Sequence, residues 1–159
     1  MVVLFFTATL AFQSLMGGLP IDGITCDRAE GAVEHIHAHL MLYDRAHAID
    51  VPAQIGMPPN GSCLYWIHTH TGDGYIHIEA PVKKPFTLGQ FFDIWGEDLS
   101  WTQAASVTAA HGKQLAIWVN GTQWHGKDPR SIVLNDKETI VIQNGPPFAK
   151  PGPSDWSKL

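Results

Sequence analysis

Basic residues are scarce in this chain. It carries ten lysines and arginines against fifteen aspartates and glutamates, which gives a formal net charge of −5 over 159 residues, and it has no basic run. A nucleic acid or an anionic membrane surface attracts a protein through clustered basic side chains. The sequence therefore predicts neither of them as a partner.

Charged residues as a whole are also few. They make up 16% of the chain, whereas 45% is hydrophobic, including six tryptophans, seven phenylalanines and three tyrosines. A chain of this length and composition can bury one sizeable core. We therefore expect a single folded domain.

The signatures of several enzyme classes are missing. The sequence contains no nucleophile elbow of a Ser–His–Asp triad, no glycine-rich phosphate loop and no dinucleotide-binding fingerprint. The motif Gly72-Asp73-Gly74 is too short for such a fingerprint and precedes a strand. If the protein is catalytic, the residues support only a metal-bound water or oxygen species, with Glu79 or Asp73 as the proton acceptor.

Only two cysteines are present, Cys26 and Cys63, and neither belongs to a Cys-x-x-Cys motif. This spacing argues against a thiolate metal site. In an oxidising compartment, one disulfide would tie the N-terminal segment to the sheet. In the cytosol, both would be reduced and buried thiols.

An uncharged apolar stretch occupies residues 2–19 and is followed by Pro20. Its length predicts an export signal or a short membrane anchor, although no Lys or Arg precedes it. Two alternatives are a buried strand or core helix, and an assembly segment that packs on a neighbouring subunit in a homo-oligomer, a filament or a membrane complex. Together with the cysteine pair, this stretch predicts an extracytoplasmic location.

Two Asn-Gly-Ser/Thr sequences begin at Asn60 and Asn120. In an exported protein each is a glycosylation acceptor. Asn-Gly is also a strong turn dipeptide, and we favour that interpretation.

Alternation of apolar and polar residues predicts a mainly antiparallel β structure. Helical spacing of aromatic residues after the N-cap candidate Thr87 predicts one amphipathic helix, Leu88–Trp95, and a weaker pattern suggests a helical turn within 99–110. The predicted fold class is α+β, with a single sheet-rich domain over residues 20–146 and a proline-rich extended tail over 147–159. The predicted strands are 33–44, 48–51, 62–70, 75–80, 115–119, 122–125, 131–134 and 139–143.

Six of the nine histidines occupy alternate positions of three strand-like stretches. Successive strand side chains point to opposite faces, so each stretch presents its imidazoles on one face while isoleucine, leucine and alanine fill the other. The stretches are His35-Ile-His-Ala-His39, His68-Thr-His70 and His77-Ile-Glu79. Whether they share one face depends on the sheet register, which the sequence does not determine.

This pattern predicts a metal site, because neutral imidazole is the commonest protein ligand for transition metals. All-nitrogen ligation without thiolate suits copper or zinc, and a carboxylate ligand shifts the balance toward zinc or non-haem iron. The histidines can form one centre or two centres a few ångströms apart. The predicted ligands are His37, His39, His68, His70 and His77, followed by His35 and Glu79 as ligands or orienting groups. The other histidines, His47, His111 and His125, are single residues near turns.

Six stretches resemble a family of exported microbial histidine-rich proteins. They are HIHAHL (35–40), CLYWIHTH (63–70), GYIHIEAP (74–81), FTLGQFFDIWG (86–96) and the later WVNG and IVIQNG segments. The resemblance covers Ile24 to Pro146, and it implies an extracytoplasmic setting and a shared histidine site, but no reaction. The family pattern has Asp after His-Thr-His, where this chain has Thr71 and only later Asp73.

Three functions are consistent with these features. The first is a metal-binding module for copper or zinc. The second is a hydrolytic or oxidative metalloenzyme with an open coordination position. The third is a subunit of an extracellular filament or membrane-associated assembly that docks through residues 2–19.

Overall fold

The computed structural model describes residues 18–159, so most of the predicted leader lies outside the described residues. Eleven strands and one α-helix make up this part of the chain. The strands are β1 Cys26–Asp27, β2 Glu34–Asp44, β3 His47–Ile49, β4 Leu64–Tyr65, β5 Ile67–His68, β6 Tyr75–Ala80, β7 Gln103–Ala104, β8 Val107–Thr108, β9 Ala116–Val119, β10 Thr122–Gln123 and β11 Glu138–Asn144, and helix α1 is Leu88–Trp95. This confirms the predicted α+β, sheet-rich fold with one short helix.

The main sheet has the order β10-β9-β11-β2-β6-β5, and β3 pairs with the C-terminal end of β2. All of its pairs are antiparallel except the central pair of β11 with β2, which is parallel. Strand β2 is eleven residues long, and its N-terminal half pairs with β6. The histidines of β2 therefore lie at the centre of the sheet.

One face of the sheet forms the hydrophobic core. Even-numbered residues of β2 and β6 are buried there, as the alternation predicted: Ala38, Leu40, Leu42, Ile76, Ile78 and Ala80. The helix residues Leu88, Phe91 and Phe92 are fully buried and join the same core. The opposite face consequently presents the odd-numbered residues, which include the histidines.

Helix α1 begins at the predicted N-cap. The Thr87 hydroxyl accepts a hydrogen bond from the Gln90 amide (3.3 Å), and the Gln90 side chain accepts one from the Thr87 amide (3.0 Å). This reciprocal pair is a capping box, which satisfies two amides that the first helical turn leaves unpaired. The helix ends at Gly96, whose φ of 79° is the left-handed conformation that glycine adopts without strain.

We expect Thr87→Ala to lower the free energy of unfolding by about 1 kcal/mol, because the Gln90 amide loses its acceptor. Chemical denaturation monitored by tryptophan fluorescence would measure this change. Thr87→Ser keeps the hydroxyl and is the control. Equal stability of the alanine and serine variants would contradict the capping role.

The predicted helical turn within 99–110 is wrong, because this segment contains the β7–β8 hairpin, in which Gln103 pairs with Thr108. The chain reverses at Ala105, whose φ of 49° lies in the left-handed region and does not continue a right-handed helix. The Ser100 side chain accepts hydrogen bonds from the Thr102 and Gln103 amides (both 3.1 Å) just before the hairpin.

The predicted strand 62–70 is divided in two. Residues 64–65 pair with β1 and residues 67–68 pair with β6, so the chain changes partner at Trp66. The Trp66 indole donates to Asp27 (2.6 Å), while the Trp66 carbonyl accepts from the Glu79 amide (2.8 Å). Trp66 therefore joins the small sheet to the main one. Segment 131–134 also differs from the prediction, since it contributes only an isolated bridge from Val133 to Thr87.

A disulfide joins Cys26 to Cys63, as predicted for an oxidising compartment. The two cysteines lie 37 residues apart in the sequence. The bond fixes the N-terminal segment on the sheet, and it lies beside the β1–β4 pair. Within residues 18–159 no helix is long and apolar enough to cross a membrane.

The C-terminal tail crosses the histidine-bearing face of the sheet. The Gln143 side chain exchanges two hydrogen bonds with Ala149, and the Ser154 hydroxyl bonds to Thr139 (2.7 Å). Tyr75 bonds to the backbone of Asp155. The tail thus covers β11 and the end of β6 that is remote from Glu79.

Candidate metal centre

The sheet register brings histidines from three strands into one row. His37 on β2 is the partner of His77 on β6, and His77 is the partner of His68 on β5. Two residues further along each strand and on the same face, His35 of β2 is the partner of Glu79 of β6. Cross-strand partners have side chains on the same face. The register therefore places imidazoles from all three predicted stretches side by side.

Four donor groups form the first cluster, which we call site A and define as His68, His70, His77 and Glu79. One ligand atom from each lies within 4.8 Å of the others. The closest pair, His68 Nε2 and His70 Nε2, is 3.2 Å apart. Two nitrogens bound to one tetrahedral ion at about 2.0–2.1 Å are about 3.3 Å apart. The His68–His70 pair thus has the spacing of two ligands on one metal ion, and the other two donors of site A lie close enough to complete a cluster around it.

A backbone contact orients His68. Its Nδ1 lies 2.9 Å from the Tyr65 carbonyl oxygen. Because a carbonyl only accepts hydrogen bonds, the Nδ1 carries the proton, and the Nε2 lone pair is left directed into the site. Metal-bound histidines commonly have this second hydrogen bond, which fixes the tautomer and the ring orientation.

Thr69 holds His68 and His70 in place from the opposite face. It is fully buried, and its hydroxyl donates to the Pro52 carbonyl (2.8 Å) and accepts from the Ile55 amide (3.0 Å). The Thr69 amide also donates to the Ile55 carbonyl (3.0 Å). The segment between the two histidines is therefore anchored to the loop 52–55 by side chain and backbone.

Two buried polar atoms of site A have no hydrogen-bond partner among the described residues: His77 Nδ1 and Glu79 Oε2. The Glu79 side chain is only 5% exposed. Leaving such groups without partners costs free energy, and native proteins rarely do so without a functional reason. The two atoms face other donors of the site, with His77 Nδ1 3.5 Å from Glu79 Oε1 and Glu79 Oε2 3.9 Å from His68 Nε2. A metal ion would satisfy both.

Burial sets the ionisation of these groups. It lowers the pKa of His68 to about 4 and, with the charge of His37 as the next cause, the pKa of His77 to about 3. Burial, followed by the nearby Glu30 carboxylate, raises the pKa of Glu79. The two imidazoles are consequently neutral at physiological pH, which is the form that binds metals.

The second cluster, site B, consists of His35, His37 and the same Glu79. His35 Nε2 lies 3.4 Å from Glu79 Oε1, and the rings of His35 and His37 have centroids 5.0 Å apart. Burial, followed by the charge of His35, lowers the pKa of His37. Site B is more open than site A, since the His35 side chain is 58% exposed.

The sequence interpretation missed Glu30, whose carboxylate lies 3.9 Å from His70 Nε2. Gly31 brings it there: the Gly31 amide donates to the Glu79 carbonyl (3.3 Å), and a Cβ on Gly31 would lie 2.2 Å from the Ala80 carbonyl carbon. Only glycine permits this approach. An isolated Glu-Gly before a strand carries no pattern that could have indicated a site.

His39, one of the five principal predicted ligands, is placed outside both sites. It shares the face with the others, but its ring stacks on Tyr75, its cross-strand partner, with centroids 4.2 Å apart. Its Nδ1 bonds to the Ser154 hydroxyl (2.8 Å) and its Nε2 to the Asp73 carbonyl (2.9 Å). The structure thus brings together six of the seven predicted site residues, and it joins His39 to the tail instead.

The remaining polar candidates lie elsewhere. Asn120 is at the turn of the β9–β10 hairpin with a φ of 50°, and its side chain accepts from the Thr139 amide (2.9 Å). Asn60 accepts hydrogen bonds from Ser62. Both thus have the turn role that we favoured. The single histidines are exposed: His47, His111 and His125.

Comparisons with known proteins add little. No family model matches the chain, and no solved structure matches it. One curated relative, the 33 kDa chaperonin of Lactiplantibacillus plantarum, is 28% identical over 109 residues, which is 66% of this chain. The match spans only 32% of the chaperonin's length. The likeness is too partial to assign a family, so the function has to be argued from the site.

Proposed function

We propose that this protein is an extracytoplasmic metal-binding protein that holds zinc or copper at site A. The observation that carries the proposal is the convergence of three imidazoles and a carboxylate within 4.8 Å, where two of their buried atoms have no hydrogen-bond partner in the described part of the chain. The residues that would hold the ion are His68, His70, His77 and Glu79.

The donor set favours zinc. Three nitrogens and one oxygen complete the four-coordinate shell that zinc prefers, and the sheet holds three of the four donors on regular strands. Copper(II) prefers a planar arrangement of nitrogen and oxygen donors, while the carboxylate also fits iron. A complete shell of protein donors supports binding rather than catalysis. A metalloenzyme would need one of these donors replaced by water.

The disulfide supports the extracytoplasmic location, because such bonds persist in oxidising compartments. Export or anchoring through residues 2–19, and assembly through the same segment, remain predictions, because only its last two residues, 18 and 19, are among the described ones. They are compatible with metal binding, since site A is built from residues of the folded domain alone.

Metal analysis of protein purified without a histidine tag tests the proposal. We expect His70→Ala to raise the dissociation constant for Zn²⁺ at least tenfold, because one of four ligands is removed. Its side chain is 40% exposed, so the fold should survive the change. The double variant His68→Asn/His77→Asn should lose binding at site A, as measured by isothermal titration calorimetry and by elemental analysis.

The matched control is His47→Ala, which removes an exposed histidine of β3 that pairs with Asp44, at the end of β2 remote from the site. It should bind Zn²⁺ as the wild type does. If the wild type binds neither Zn²⁺ nor Cu²⁺, or if His70→Ala and the double variant both bind as the wild type does, the proposed function is wrong.

A further inference from the structure

We infer that Glu79 bridges two metal ions, one in site A and one in site B, so that the histidine face holds a dinuclear centre. This inference rests on the proposed function, because the first ion is the one proposed for site A. It adds a second binding site and assigns the shared carboxylate to both.

The first argument is the position of the Glu79 carboxylate. Its Oε1 lies 3.4 Å from His35 Nε2 of site B and 3.5 Å from His77 Nδ1 of site A, and its Oε2 lies 3.9 Å from His68 Nε2 of site A. The side chain is 95% buried, and Oε2 has no hydrogen-bond partner among residues 18–159. The carboxylate therefore lies between the imidazoles of the two sites and belongs to both donor clusters, a position from which it can bind an ion in each.

The second argument is that imidazoles of the two sites are in direct contact with one another. The His77 ring lies against His37 of site B, with centroids 4.6 Å apart, and against His70 of site A at 4.5 Å. The imidazoles therefore form a continuous layer. Ions in the two sites would be only a few ångströms apart, as in known two-metal centres, where the separation is about 3.5–4 Å.

The third argument concerns charge. Two divalent ions and neutral imidazoles need more negative charge than Glu79 alone supplies. Each site has a second carboxylate beside it: Glu30 lies 3.9 Å from His70 at site A, and Asp136 accepts a hydrogen bond from the His37 amide (3.2 Å) at site B. The acidic groups are thus distributed over both halves of the layer.

Metal stoichiometry and electron paramagnetic resonance of the Cu²⁺-loaded protein test the inference together. We expect the wild type to bind two Cu²⁺ ions per chain. Because a bridging carboxylate at this distance couples their spins, the integrated signal should fall well below two spins per chain. His35→Ala/His37→Ala removes the imidazoles of site B only. It should bind one ion and give the full signal of one isolated Cu²⁺.

Two further variants sharpen the test. Glu79→Gln should abolish the spin coupling, because an amide does not bridge two ions as a carboxylate does. The triple variant His47→Ala/His111→Ala/His125→Ala removes the three single exposed histidines and should retain two coupled ions. If the second ion is lost in the triple variant, it was held by an exposed histidine and the inference is wrong.

The outcomes separate this inference from the proposed function. One ion per chain in both the wild type and His35→Ala/His37→Ala would overturn the dinuclear centre while leaving metal binding at site A intact. Two ions with uncoupled spins would overturn the bridge. A wild type that binds no metal at all would overturn both proposals.

Discussion

Glu79→Gln should stabilise the metal-free protein and, in the same variant, weaken its metal binding. Glu79 is buried, its Oε2 lacks a hydrogen-bond partner among the described residues, and its pKa is raised by burial and then by Glu30. At pH 8 the fold therefore bears the cost of a buried, poorly compensated charge. Glutamine removes that charge, and its amide can donate a hydrogen bond to the unpartnered His77 Nδ1.

The expected gain in the free energy of unfolding is about 1–3 kcal/mol, the usual cost of an unsatisfied buried group. Urea denaturation after treatment with a chelator measures it. Zn²⁺ affinity of the same variant should fall by about two orders of magnitude, since a carboxylate ligand is replaced by a weaker neutral donor. Opposite changes in stability and affinity would identify Glu79 as a residue whose role is functional.

The chain offers a matched control in Glu138, which is also buried but has hydrogen-bond donors. Its carboxylate accepts from the Asn135 amide (3.4 Å) and from the Asn135 side chain (3.3 Å). Glu138→Gln should leave stability unchanged or lower it, with no effect on Zn²⁺ affinity. If Glu79→Gln and Glu138→Gln change stability and Zn²⁺ affinity by the same amounts, the charge of Glu79 does not destabilise the metal-free fold.

Local patterns were sufficient to predict most of the fold. The alternation in 34–44 and 75–80 predicts strands whose core-facing residues are even-numbered, and the Thr87 cap followed by aromatic residues at helical spacing predicts the helix. These features succeed because their cause is local: side-chain period and capping chemistry act within a few residues. The prediction for segment 99–110 failed because the chain reverses at Ala105 in a left-handed conformation, which residue periodicity does not reveal.

The histidine site was predictable in its composition but not in its geometry. That His37, His77 and His68 form one row depends on the register of three strands, and a shift by one residue would send one imidazole to the core face. The same register pairs His39 with Tyr75, and the distant Ser154 then bonds to it. Glu30 depends on the close approach of Gly31 to β6, which is also a long-range contact. Long-range pairings of this kind are not encoded in any short stretch of sequence.

The buried imidazoles of site A belong both to the candidate metal site and to the packed interior of the fold. Because His68 is fully buried and His77 largely so, their neutral forms are built into the packing of the sheet. Burial keeps these imidazoles in the neutral form that binds a metal, and for the same reason it disfavours their protonation in the folded state. Acid should therefore act on the metal-free fold through the same residues that bind the ion.

The metal-free protein should lose stability steeply as the pH falls below about 6.5. The pKa of an unfolded histidine is about 6.5, whereas burial lowers the pKa of His68 to about 4 and that of His77 to about 3. Above pH 6.5 both states are neutral and the contribution is constant. Between about 6.5 and the lowered values, the unfolded chain binds protons that the native state does not, so the free energy of unfolding decreases.

The loss is on the order of 3 kcal/mol for His68 alone, and His77 adds to it. Glu79 acts with the opposite sign, because its raised pKa makes the native state the stronger proton binder over its own range. Two histidines outweigh one carboxyl group, so the net effect is a loss. Urea midpoints of chelator-treated protein between pH 8 and pH 4 measure it. His68→Asn/His77→Asn should flatten this dependence and His47→Asn should not, whereas an unchanged slope in the double variant would show that the acid sensitivity arises elsewhere in the chain.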